Sequence, residues 1–235
     1  MTQSEPGPTP SLEEVRERYQ QERAKRIRRE GVSQFQELTG AFEKFDFDPF
    51  LEGDISREPV DEDVEVLVLG AGFAGMLTSI NLKSQGVDDI RIVDVAGDFG
   101  GTWYWNRYPG CMCDVESYTY LPLLEETGYM PTEKYASAPE IFAYCQLMGR
   151  HFELYPHALF HTEIDEAEWD DEAGRWRITT NRGDHIRARF FVTAGGILAK
   201  PKLPGIPGIA DYAGEAFHTS RWNYAVTGGG PTERM

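Results

Sequence analysis

Three glycines and one aspartate carry the clearest chemistry in this chain. Gly70, Gly72 and Gly75 stand in G-x-G-x-x-G spacing, with Ala74 before the third glycine. Asp94 follows about 20 residues further on. Glycines at this spacing make a tight turn, let backbone N–H groups approach a pyrophosphate, and let helix and strand pack closely. The carboxylate would bond a ribose diol and repel a 2′-phosphate. The site therefore suits FAD or NAD, and not NADP. Such a site works only if a strand delivers the glycines and a helix receives them. The apolar run Val64–Leu69 reads as a buried parallel strand. A helix follows with Phe73, Met76, Leu77 and Ile80 on one face, and "IRIVD" makes a second strand ending at Asp94. An unrelated α/β fold with a glycine turn has no reason to combine all four features.

The next stretch separates the two cofactors. An NAD dehydrogenase would usually continue with another strand–helix unit. This chain runs instead into "GDFGGTWYWNRYPGCMCD", which has neither helical nor strand period. That position lies over the carboxyl ends of the strands, where doubly wound folds bind ligands. Trp103 and Trp105 can wall a flat ring there, and Arg107 and Asp114 can place charge beside it. FAD fits better than NAD.

Other elements frame this core. Residues 1–10 are polar with three prolines and read as a disordered tail. Residues 11–60 read as a helical extension and linker: Ser11 and Glu14 fit a capping box, and Gly31 is the expected stop. The FAD-binding domain is expected over 61–200. "APEIFAYCQLMGRHFELY" reads as a helix with Ile141, Cys145 and Met148 inward. "EWDDEAGRWRITTNRGDHIRAR" alternates as a three-stranded meander, with turns at Glu172–Gly174 and Asn181–Asp184. Phe190–Thr193 reads as a further strand of the parallel sheet. Residues 201–235 are expected to be a linker toward an NADP-binding domain that the sequence does not contain, since no second glycine motif follows.

Composition removes several alternatives. The chain has 235 residues and a net charge of −16, which disfavours nucleic acid and anionic membranes as partners. No apolar run has the length of a bilayer span, and the N-terminus has no signal-peptide pattern. Three cysteines without a C-x-x-C pair fit neither a disulfide framework nor a zinc site. The histidines lack metal spacing, so no metal is expected. These features read as a cytoplasmic protein; they leave its oligomeric state open.

"GGTWYWNRYPGCMCDVESYTY" resembles the flavin-side motif of the Baeyer–Villiger monooxygenases, flavin enzymes that insert oxygen next to a ketone. A second stretch, "YAGEAFHTSRW", resembles their fingerprint Phe-x-Gly-x-x-x-His-x-x-x-Trp. Gly214, His218 and Trp222 hold its spacing, and Tyr212 stands in the Phe position. "FFVTAGGILAKPKLPGIPG" resembles the segment leaving the first flavin region. The resemblance covers roughly residues 62–230. It implies an α/β, FAD-binding, Rossmann-like three-layer domain with a parallel sheet and β-meander, preceded by a helical arm. The N-terminal extension resembles that of members acting on bulky or polycyclic ketones.

The resemblance also implies roles and partners. The cofactors would be FAD and NADPH, and the substrates O2 and a small-molecule ketone, with this chain corresponding to the flavin side only. Gly70, Gly72, Ala74 and Gly75 would meet the flavin pyrophosphate, and Asp94 the ribose. Thr102, Trp103, Tyr104, Trp105, Asp114 and Tyr120 would line the isoalloxazine, and Ile164 would meet the adenine. Met112, Cys113 and Asp114 would face the nicotinamide. Asp114 would orient an arginine that acts in catalysis, and no arginine here matches that one. Gly214, His218 and Trp222 would lie in the interdomain linker. Two other classes are an N- or S-oxidising flavin monooxygenase and an inactive FAD-binding remnant. The WYWNRYPG run and Trp222 favour the Baeyer–Villiger type.

Overall fold

A computed structural model describes residues 10–27, 29–36, 38–51 and 55–231. The expectation of a disordered tail falls on residues 1–9, outside the described ones except for Pro10. The chain divides into two compact units, one of residues 1–37 with 202–212 and one of 38–201 with 213–235.

The smaller unit holds helix α1 (Leu12–Arg26). Its capping box is present: Ser11 Oγ accepts from Glu14 N at 3.2 Å, and Glu14 accepts from Ser11 N at 2.6 Å. The helix buries no residue, as its alternating charges require. It ends before the expected Gly31, because β-branched Ile27 takes an extended conformation. Gly31 opens a short 3₁₀ turn instead. Strand β1 (Phe35–Gln36) pairs antiparallel with a late strand, Leu203–Pro204, so part of the expected linker folds with the N-terminal arm.

The larger unit is a Rossmann-like α/β domain built on one six-stranded sheet. Along the chain come strand β2 (Asp61–Leu69), helix α2 (Phe73–Ser84), strand β3 (Ile90–Val93), and short helices α3 (Thr102–Trp105), α4 (Ser117–Tyr120) and α5 (Leu124–Thr127). Helix α6 (Ala138–His151) follows. Then come strands β4 (Ala158–Leu159), β5 (Ile164–Asp170), β6 (Arg175–Thr180) and β7 (His185–Thr193). The pair noted above ends in β8 (Leu203–Pro204), and helix α7 (Tyr224–Thr227) closes the described chain.

The sheet order is β4-β3-β2-β7-β6-β5. The first four strands are parallel, and β7 turns the sheet into the antiparallel meander β5-β6-β7. Expected strands Val64–Leu69, Ile90–Val93 and Phe190–Thr193 thus share one parallel sheet. Two of them begin earlier than the apolar pattern indicates. Asp61, Glu62 and Asp63 pair with His185, Ile186 and Arg187, and Arg187 bonds Asp61 at 2.7 Å and Asp63 at 3.0 Å. Cross-strand charge pairing lets a polar segment extend a buried strand.

Val66, Val68, Ile90 and Ile92 pack against Met76 of α2 and against Ile141, Cys145 and Met148 of α6. Leu67 and Val93 instead meet Ile178 and Ile186 of the meander. Helices, parallel strands and meander form the three layers. Both meander turns lie where the sequence places them. At the first, Asp170 Oδ1 accepts from the N–H groups of Glu172 and Ala173. At the second, fully buried Asp184 accepts Arg57 in a two-pronged pair at 2.6 and 2.5 Å. That clasp fastens the segment entering β2.

Candidate functional site

Parallel strands β2, β3 and β7 all end on one side, and the loops leaving them meet there. Gly70 leaves β2 with φ +114°, and a Cβ on it would lie 2.4 Å from Ala194 O beyond β7. Only glycine fits that approach. Gly72 caps α2 without a side-chain bond, and the first turn of this helix carries no acidic residue. Its opening N–H groups thus have no side-chain acceptor and lie beside the cleft that Phe73 and Ala74 line. Gly100 N donates to Ala71 O at 3.0 Å. A Cβ on Gly101 would stand 2.8 Å from Gly72 Cα, so the two glycine loops touch. Their meeting requires glycine at 101, while Gly100 is held to glycine by its φ of +147° and by Phe142 and Tyr104 N, which a Cβ would meet at 2.9 and 3.1 Å.

The cleft they frame has a volume of about 310 Å³, at the lower end of the range for small-molecule sites. Its walls include Gly70, Gly72, Ala74, Asp94, Thr102, Trp103, Trp105 and Tyr120, all singled out in the sequence. Gly75 packs beneath the turn instead of lining the cleft. A larger depression over Tyr118–Pro131 carries Glu125 and Glu126 but no part of the glycine loops.

Asp94 is buried, and both its oxygens are engaged. Oδ2 accepts from Ala71 N at 2.5 Å and Oδ1 from Ala96 N at 2.8 Å. Burial pushes its carboxyl above the usual carboxylate range, against the pull of these N–H donors. Each oxygen keeps a second lone pair for a hydroxyl. Trp103 Nε1 donates to Tyr120 Oη at 2.9 Å, so the phenol proton can be donated to a ligand. Burial raises the Tyr120 pKa, and the Trp103 bond opposes that rise.

Four predicted flavin-side or nicotinamide-side residues lie elsewhere, and so does the predicted adenine contact. Tyr104 turns away from the cleft, because neighbouring residues of one helical turn point in different directions. Its hydroxyl donates to Asp48 Oδ2 at 2.6 Å, and burial, then Asp48, raises its pKa. Cys113 is core: its N–H donates to Ala136 O at 3.0 Å. Met112 and Asp114 flank it and are exposed. Ile164 begins β5 and packs at the meander core. The sequence reading missed Gly195, Gly196, Leu198 and Ala199, which form the opposite wall. Its one signal was the Ala-Gly-Gly leaving β7.

In the fingerprint stretch, Gly214 is exposed and Trp222 is half-buried. Trp222 packs edge-on to Phe217 with ring centroids 5.1 Å apart. His218 Nδ1 accepts from Ser220 N at 3.1 Å, which makes that nitrogen the unprotonated one. Burial, then the charge of Arg221, lowers its pKa. Among the described residues no group of three or more His, Cys, Asp or Glu is placed to hold a metal. No described helix is long and apolar enough to cross a membrane.

Comparisons with known proteins bear on this geometry. The NAD(P)-binding Rossmann-like domain family matches residues 68–129. Baeyer-Villiger monooxygenase 4 of Dietzia sp. (strain D5) is 49% identical over 215 residues, covering 92% of this chain and 35% of the relative. The polycyclic ketone monooxygenase of the thermophilic fungus Thermothelomyces thermophila superposes with a TM-score of 0.85 at 40% identity. That match covers 94% of this chain and 38% of the fungal one. The structure of the OTEMO complex with FAD and NADP gives a TM-score of 0.64 at 31% identity, over 71% of this chain and 31% of the other. This chain therefore spans about a third of the length of the curated relatives it matches, and over almost all of its own length it is similar to Baeyer–Villiger monooxygenases.

Proposed function

We propose that this chain is the flavin-side part of an NADPH-dependent flavoprotein monooxygenase that inserts one oxygen atom of O2 beside the carbonyl of a ketone, one of bulky or cyclic type. The observation that carries the reading is the double glycine cradle, Gly70–Gly75 against Gly100–Gly101, below a wall of Trp103, Trp105 and Tyr120. A cradle that a Cβ would fill fits a pyrophosphate, and the aromatic wall fits a ring system.

Each residue then has a task. The N–H groups opening α2 hold the pyrophosphate through the helix dipole and direct bonds. Asp94 accepts the ribose diol. Thr102, Trp103, Trp105 and Tyr120 stand along the isoalloxazine, and Ile164 is assigned to the adenine end. Bound FAD, reduced by NADPH, supplies the oxygen chemistry. The aromatic residues exclude water from it, which matters where a reactive group must outlast hydrolysis. Met112, Cys113 and Asp114 are assigned to the nicotinamide side, with Asp114 orienting a cation there. Gly214, His218 and Trp222 belong to a connecting segment that answers to cofactor binding. A cytoplasmic setting accords with three free, buried thiols.

Titration of the purified chain with FAD, FMN and NADPH tests the reading. FAD should bind one to one, and FMN, which lacks the adenosine and pyrophosphate, at least tenfold more weakly. A folded chain that binds FMN and FAD equally, or neither, overturns it.

A further inference from the structure

Arg221 is buried, with 3% of its side chain exposed, yet its charge is poorly met. Its nearest carboxylate, Asp46, lies 3.7 Å away and is itself more than a third exposed. Its Nε is buried with no hydrogen-bond partner among the described residues. Such a group is costly to keep out of water. An apolar side chain of similar length would fill the space without that cost, so packing alone does not account for an arginine here.

What the guanidinium touches does account for it. Its carbon lies 3.7 Å from the centroid of the Trp105 ring. Nη2 donates to Ala199 O at 3.2 Å, and Nη1 donates to Ser220 O at 3.1 Å and Ser220 Oγ at 3.3 Å. Trp105 and Ala199 are both cleft walls, one reached after β3 and the other after β7. One planar cation thus joins two walls that no strand pairing connects, and it does so from the segment that carries His218 and Trp222. A guanidinium can stack on an indole and bond a carbonyl in its own plane at the same time; an ammonium cannot.

We infer that Arg221 is a positioning residue that sets the placement of Trp105 against the Leu198–Ala199 wall, and so links the His218–Trp222 segment to the flavin ring. The inference rests on the proposed FAD site. Burial lowers the Arg221 pKa to about 10, against the opposing charges of Asp46 and Asp48, and it stays high enough for full charge at neutral pH.

Arg221→Lys, which keeps the charge, and Arg221→Met, which keeps the stem, test it in the full chain. Two readouts are needed: emission and visible absorbance of bound flavin at saturating FAD, and acrylamide quenching of Trp105, isolated by subtraction in the Trp105→Phe background. A merely structural anchor would lower melting temperature but leave the spectrum of flavin-saturated protein unchanged. Both variants should weaken FAD binding about tenfold, raise bound-flavin emission and make Trp105 more accessible. If Arg221→Met does not fold, Arg221→Lys is read alone. Wild-type spectra and wild-type Trp105 quenching in a folded variant overturn the inference. Should the wild-type chain bind no FAD, the proposed function fails, and unchanged Trp105 quenching in the variants then overturns the Arg221–Trp105 link separately.

Discussion

Gly75→Ala tests the cradle most directly. A Cβ at this position would stand 1.8 Å from Gly70 O, 2.9 Å from Gly70 C and 3.4 Å from Val68 Cγ1. The first two atoms are backbone, so no rotamer change can relieve the clash. The contact must open to at least 3.0 Å, and either the first turn of α2 or the Gly70 turn must move. Overpacking of a tight site costs about 1–3 kcal/mol, and a backbone-only clash belongs at the upper end. Alanine in a helix regains up to about 1 kcal/mol over glycine. The net loss is then about 2 kcal/mol, or roughly 4–8 °C in melting temperature for a domain of this size. Because the parts that move hold the N–H donors, FAD affinity should fall at least about tenfold. Thermal unfolding and isothermal titration with FAD measure both effects. Gly195→Ala is the stability control, since a Cβ there meets nothing within 4 Å. A Gly75→Ala protein that melts within about 1 °C of wild type and binds FAD equally well would refute the close-packing argument.

Asp94→Asn should weaken FAD by about 10- to 100-fold, the scale of one charge-assisted hydrogen bond; calorimetry showing unchanged affinity would remove Asp94 from the ribose. Arg57→Gln should cost about 3 kcal/mol at pH 7, because Asp184 stays buried without its cation. Burial alone would raise the Asp184 carboxyl, but Arg57, Thr180 and the Val60 N–H bring it from 3.8 down to about 2. The stabilisation is therefore complete above the ordinary value and lost as pH falls toward the folded one, so the gap between wild type and Arg57→Gln in urea unfolding should narrow below pH 4; a gap that stays constant with pH contradicts the pairing. Cys111, Cys113 and Cys145 are free and buried, and burial raises the Cys111 and Cys145 thiols. A thiol reagent should find none of them in the native chain within minutes and all three in denaturant; one fast native thiol would show a more open fold.

What could be read in the sequence was local. The strand–glycine–helix–strand unit, the meander turns and the inward face of α6 each rest on a short period or a turn residue, and the structure places them accordingly. The fate of Tyr104 was not legible, because neither helical nor strand period runs through Gly100–Asp114 to say which ring faces the cleft. Cys111 and Cys113 are buried and Met112 and Asp114 exposed, an alternation around the Met112–Ser137 bridge that is too short to be read as a strand. The Leu198–Ala199 wall, the Arg57–Asp184 clasp and the Arg221–Trp105 stack join residues far apart in the chain, and no pattern within either partner announces the other. The pair of two-residue strands, β1 and β8, is too short for alternation to show.

The cleft's own chemistry points to holding and shielding. Among the described residues that line it, only Asp94 and Tyr120 titrate. Asp94 is fixed by two backbone N–H groups, and Tyr120 by the indole of Trp103. A general acid or base needs a proton that moves near working pH. Burial raises the pKa of both groups, but neither has a neighbouring base or acid within the cleft to exchange a proton with. Glycines, a helix terminus, aromatic faces and aliphatic side chains such as Leu198 make up most of the rest, and these bind, orient and exclude water. Substitutions of the lining should therefore act first on how much cofactor is bound and how dry its surroundings are. Asp114 is exposed and outside that lining, so on the proposed reading Asp114→Ala should leave FAD affinity unchanged, and a calorimetric loss of binding would contradict its placement away from the cleft.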